Sequence, residues 1–469
     1  MSTMQEPLSI DVFSELLDTV EPYRVDESFT YETTIAIQPS SQHNLNVGGP
    51  IVFQSMYQDG YFLPAESSIT IQGRLVKEDG TVYDNNDEVS LVNNAMLYLF
   101  KEAKYHISDK EIESVLDPGQ TSSLFAYLTL PDDFSTSAGL SRCWSKDTTN
   151  NPDSKKYRAS RRVANVGAGL AVPEIAEGFF TPSENPNYNQ GFATRKSFLF
   201  SSNPKGTFEF TIPFSHIFGF SEYKRIVYGV QQRITLDRTN NDLAIHRADG
   251  TPPGKVELTN ITWYIPKYQL STAAEVVMSD RSVAKIQLPV YFSARTSRSV
   301  NIPTGTTSFE WPLSVSSGLE KPRWVIVGLQ TGRRSQTETP AVFDTCGLTQ
   351  GYLTLNGVRY PGTDVIVDFD RHQYSRLYKM FDEFKKIAYR YDELAGGTQV
   401  NFSAFNSLFP ILVFKVMAQS EVFKTGVIDM RITLKTAATP ANTTAYALII
   451  SDRVFKLGSD GKKISELVN

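Results

Sequence analysis

A chain of 469 residues is longer than one hydrophobic core sustains, since cores stop growing near ~250 residues, so two domains are expected. Its 41% hydrophobic and 21% charged residues are those of a globular rather than a disordered protein, and no apolar run approaches the ~18 residues of a helical membrane span. A net charge of −5 excludes whole-surface attraction to nucleic acid, and a 12% aromatic share, with 29 Phe and 22 Tyr, suits pleated, half-buried surfaces.

Residues 1–24 read as an N-terminal segment: Met1 to Glu6 is polar, without the regions of a secretory signal, and Leu8 to Val20 has an amphipathic pattern. A first domain is placed at 25–270. In Ile69-Thr70-Ile71-Gln72-Gly73-Arg74-Leu75 apolar and polar residues alternate, and the Asp79-Gly80 step that follows is a turn signal. Val92 to Lys101 is a short helix candidate. From Pro131 to Gly191 periodicity is lost among Ser, Thr, Asn, Pro and Gly, which reads as a long loop insertion. Alternation returns at Phe208 to Ile212, Ile234 to Leu236 and Ile261 to Ile265. Ser271-Thr272-Ala273-Ala274 interrupts it and places the domain boundary between Leu270 and Met278.

The second domain is placed at 271–455, with strands over Val283 to Phe292, Ser308 to Leu313, Trp324 to Gln330, Tyr352 to Leu355, Ile411 to Val416 and Ala445 to Ile450. One longer helix is expected over 374–394, where Leu377, Phe381, Phe384, Ala388 and Tyr391 form an apolar stripe before Gly396-Gly397. A polar tail, 456–469, closes the chain. No repeat links the halves in sequence.

Catalytic constellations are not evident. His43, His106, His216, His246 and His372 never take metal-ligand spacing, and Cys143 and Cys346 stand far apart, as reduced thiols. Gly167-Ala168-Gly169 and Gly458 to Lys463 lack the remaining features of nucleotide loops and read as turns. Asp368 and Asp370, with Asp364, would share a strand face, a geometry open to a hard cation but equally that of a solvated strand end. Asn260, Asn401 and Asn442 begin glycosylation sequons without a secretory signal, and Trp263, Trp311 and Trp324 read as core anchors. The densest charge lies in the long loop, where Lys155, Lys156, Arg158, Arg161 and Arg162 form a candidate nuclear-import or contact patch beside the reading of a solvated loop. No catalytic, cofactor-binding or metal residue is proposed.

Leu91-Val92-Asn93-Asn94-Ala95-Met96-Leu97-Tyr98-Leu99-Phe100-Lys101, followed by Ala103 to Ser108, is similar to a segment of Polinton/Maverick-like and adintovirus-type double jelly-roll major capsid proteins, the lineage of adenovirus hexon and virophage capsids. Pro322 to Arg333, Phe343 to Leu348 and Leu353 to Pro361 resemble that family's second-domain signature, in the family's order. The resemblance implies an all-β fold of two tandem eight-stranded jelly rolls with a few short helices. It further implies a non-enzymatic homotrimer forming pseudo-hexameric capsomers, which contacts neighbouring capsomers and a minor (penton) capsid protein in an icosahedral virion around a DNA genome. No cofactor, membrane span or sequence-specific nucleic acid contact is expected. A β-sandwich glycan- or receptor-binding module is the alternative, and a hydrolase on a β scaffold a further one.

Overall fold

The computed structural model describes residues 27–40, 44–55, 60–161, 180–284, 287–313, 321–390, 398–417, 428–457 and 464–466. Eight principal strands build the first half: β1 (Phe29–Ile37), β2 (Gly49–Ser55), β3 (Ser68–Lys77), β4 (Phe100–Ile107), β5 (Lys110–Leu116), β6 (Thr207–Pro213), β7 (Gln232–Arg238) and β8 (Gly254–Leu270). They pair in the orders β1-β8-β3-β6 and β2-β7-β4-β5, all antiparallel. The short strands Tyr61–Phe62 and Val227–Tyr228 extend the first sheet along the Lys267 and Tyr268 end of β8.

The second half has eight more: β9 (Leu288–Ile302), β10 (Ser308–Pro312), β11 (Lys321–Thr331), β12 (Leu348–Leu355), β13 (Val358–Tyr360), β14 (Leu412–Lys415), β15 (Met430–Thr436) and β16 (Thr443–Leu457). Their orders are β9-β16-β11-β14 and β10-β15-β12-β13. Adding eight to every strand number of the first half yields the second. The duplication that the sequence hides is therefore explicit in the pairing, and each half is a jelly roll of two facing sheets.

Alternation explains why the sheets face each other. In β6 every second residue, Phe208, Phe210 and Ile212, is buried, and in β7 Ile234 and Leu236 are buried opposite Phe53 and Ile51 of β2. Each such side chain contributes about 1.5–3 kcal/mol by leaving water. Trp263, Trp311 and Trp324 are all buried, and Trp324 meets Phe384 edge-on at 4.8 Å.

Helices differ more from expectation. The expected helix at Val92 to Lys101 shrinks to α1 (Ala95–Tyr98), because Phe100 and Lys101 already belong to β4. An unexpected helix, α2 (Pro118–Thr129), follows β5. It is buried from Pro118 to Leu128, the polar run Gln120 to Ser123 included, so it has no solvent face whose polar residues would reveal a helical period. A further helix, α3 (Gln190–Ser201), ends the long loop, and α4 (Thr272–Val283) occupies the segment between β8 and β9. Val283 thus closes a helix, and the strand expected from it begins at Leu288. The long helix is α5 (Ser375–Tyr389), burying Leu377, Phe381 and Phe384 as its stripe requires; Tyr391 lies outside the described residues.

Two cores result, and each borrows from the other half. The first includes Val290, Phe292, Phe455 and Leu457 of the second roll. Leu124, Tyr127, Leu128 and Trp144, all from the first half, lie in the second core beside Phe343 and Phe409.

Candidate functional site

The most constrained polar site lies where the rolls meet. As the outermost strand of its sheet, β9 pairs with β16 on one side and presents alternate unpaired N–H groups on the other. Those groups are met by carboxylates of the first roll. The Ser293 N–H donates to Glu222 Oε2 at 3.1 Å, and two residues on, the Arg295 N–H donates to Glu113 Oε1 at 2.7 Å. Further along the same edge the Ser297 hydroxyl donates to the Leu116 carbonyl at 2.5 Å and the Ser299 hydroxyl to Asp117 Oδ2 at 3.0 Å.

Glu113 organises this seam. It projects from β5, is 1% exposed, and accepts two further N–H groups, from Gly219 at 2.9 Å and Phe220 at 3.0 Å. Burial pushes its carboxyl up to about 7, against the pull of Arg295 and the three N–H donors toward the ionised form. The Arg295 guanidinium lies 3.6 Å from the Phe125 ring centroid and donates to the Ser215 carbonyl at 2.7 Å. Gly219 packs so tightly on β9 that a Cβ there would collide with the Ser293 carbonyl oxygen. Elsewhere the Tyr98 and Tyr127 hydroxyls donate to the carbonyls of Pro340 (2.8 Å) and Ala341 (2.7 Å). A cavity of about 410 Å³ opens beside the seam, lined by Phe125, Arg142, His216, Glu222, Arg295 and Tyr389 among others. Burial, with Arg142 and Arg295 nearby, pushes His216 down to about 3, so it stays neutral and its Nε2, 3.2 Å from Arg142, accepts.

The basic stretch is a different kind of place. Lys155 and Lys156 are exposed, Arg158 and Arg161 lie in the strand Tyr157–Arg161 paired with Phe180–Glu184, and Arg162 lies outside the described residues. The cleft beside it carries both signs of charge: Lys155 and Arg247 with Glu88, Asp153, Asp249 and Glu338. Such a mixture does not select anions. The chain flanking the stretch is anchored. Arg195 of α3 pairs with Asp147 at 2.6 Å, both buried, and Lys196 pairs with Glu88 at 3.1 Å.

The carboxylates singled out in the sequence do not share a strand face. Asp364 is held by Arg359 and by Gln350, Asp368 accepts the Arg371 N–H at 3.0 Å, and Asp370 lies in an exposed turn. Cys143 and Cys346 are free and buried, and burial pushes both thiols up to about 11. Among the described residues no three His, Cys, Asp or Glu side chains gather as a metal site. His43 and Gly167 to Gly169 lie outside those residues.

Sequence reasoning missed Glu113 and Gly219. Glu113 sits among Lys110, Glu111 and Ser114 like any solvated strand residue. Its donors come from a short helical turn about a hundred residues away and from strand β9 nearly two hundred away, and no local pattern announces them.

A family model described as the double jelly roll-like domain matches residues 175–455, more than half the chain. Among solved structures, a chain of the Sputnik virophage, determined by cryo-EM at 3.5 Å, is similar with a TM-score of 0.55 at 10% identity, covering 100% of this chain and 93% of that one. The Faustovirus major capsid protein is similar with a TM-score of 0.54 at 8% identity, covering 96% of this chain and 92% of that one. Curated protein sequences offer no match. At these identities the likeness is one of fold.

Proposed function

The chain belongs to the double jelly roll-like family, and from that premise we propose that it is a major capsid protein, of the Polinton and adintovirus type, with a structural rather than catalytic role. One observation carries the reading: a jelly roll built twice with one strand order, its two copies held by a buried polar seam. A rigid pair of like lobes is what a shell tile needs, and three such chains give six lobes with a pseudo-hexagonal outline. The full-length likeness to the Faustovirus major capsid protein supports it. On this reading, residues 25–270 and 271–455 are the two rolls. The homotrimer meets neighbouring capsomers and a minor penton protein in a virion around DNA, and Lys155, Lys156, Arg158, Arg161 and Arg162 direct assembly to the nucleus.

Light scattering on the size-exclusion peak, followed by negative-stain imaging, tests this. Trimers of hexagonal outline, or closed shells, are expected. Stable monomers that bind glycans would overturn it in favour of a binding module.

A further inference from the structure

Within one chain, the free edge of the second roll's first strand, β9, lies against the first roll's fifth strand, β5. The corresponding pair, the first roll's first strand and the second roll's fifth, is β1 and β13. Neither has a second strand partner among the described residues: β1 pairs with β8 alone and β13 with β12 alone.

We propose that β1 of one copy seats against β13 of the next copy, repeating between chains the contact that β9 and β5 make within one. This rests on the capsomer reading above. Three observations favour a second copy as the occupant. Unpaired strand edges invite pairing unless they are covered, and β1 is nine residues long. Large apolar side chains stand exposed on both sides, Phe29 and Tyr31 (60% exposed) on β1, and Val358 (56%) on β13 with Ile366 nearby. On β1 they continue into a ladder of rings, Phe29 against Tyr268 at 5.0 Å and Tyr61 stacked on Tyr228 at 4.6 Å, with Tyr61 opposite Tyr268 in register. Charge agrees as well. In the internal seam carboxylates on the β5 side receive the N–H groups of β9, and Asp364, held by Arg359 of β13, supplies a carboxylate on the β13 side. The contact joins unlike surfaces, so each copy offers one edge of each kind and a closed ring leaves none bare.

Cysteines at both edges of the full chain, Tyr31→Cys with Val358→Cys, test the assignment with a short bismaleimide. The native thiols, Cys143 and Cys346, are buried and contribute little background. Covalent dimers and trimers are expected from the double variant and not from either single one. Tyr31→Glu should raise the dissociation constant about tenfold or more, as loss of an interface aromatic does, with an unchanged circular dichroism spectrum. Trimers by light scattering with no cross-link beyond the single variants would overturn the edge assignment and leave the capsomer reading standing. Monomers would overturn both.

Discussion

Replacing Glu113 by Gln tests the account of the seam most directly, because the amide keeps the side chain's shape and removes its titration. In the folded chain burial raises the Glu113 carboxyl to about 7, against 4.5 for an unperturbed group. Below 4.5 the carboxyl is protonated folded and unfolded alike and contributes no pH dependence. Between 4.5 and about 7 the unfolded chain releases the proton more readily, so stability is lost as pH rises through that window. At ~1.36 kcal/mol per pH unit the loss reaches about 3 kcal/mol. With an unfolding entropy of roughly 2.1 cal/mol/K per residue, that is a fall of about 3 °C in melting temperature for a chain of this length. Glu113→Gln adds an offset common to every pH, since its NH₂ faces N–H donors, but not this slope. Melting curves by circular dichroism at half-unit steps from pH 4.5 to 8 give the difference between the two proteins. A difference that stays constant, or a wild type that gains on the variant as pH rises, would refute the reasoning and mean that the three N–H donors outweigh burial.

Three other outcomes are expected. Gly219→Ala should destabilise by about 1–3 kcal/mol in urea titrations, the range for forcing extra atoms into a packed site, because its Cβ meets the Ser293 carbonyl; an unchanged midpoint would show that the rolls have slack there. Asp147→Ala should cost about 3–5 kcal/mol by stranding the buried Arg195 charge, while adding Arg195→Met restores part of it; additive losses would contradict the pairing. Native protein should leave both thiols unlabelled by a disulfide reagent at pH 8 and expose two in denaturant, since Cys143 and Cys346 are buried with thiols pushed up to about 11; rapid native labelling of either would contradict their placement.

Legibility in the sequence followed the range of the forces involved. Strand β6 was readable because alternation in Phe208 to Ile212 records one buried face, and α5 because Leu377, Phe381 and Phe384 record one buried stripe. Helix α2 was not, since a helix enclosed on all sides erases its own period. At the end of α4 the β-branched Val283 favoured a strand reading, and it remains exposed on the helix. Strand order and the seam were illegible for a stronger reason. Glu113 meets Gly219 and Arg295 only after both rolls have closed, so their meeting is a property of topology rather than of any window of sequence.

The lending of α2 to the second core has a consequence in time. Leu128 leaves the ribosome long before Phe409, whose ring packs 4.4 Å from that of Tyr127. At roughly 5–20 residues per second, synthesis of the intervening chain takes on the order of 14–56 s. Through that interval the apolar end of the helix, Leu124 to Leu128, is without its bed. The nascent chain is therefore most exposed to chaperones and to premature association midway through translation, and the finished subunit folds to completion only when its last third has emerged.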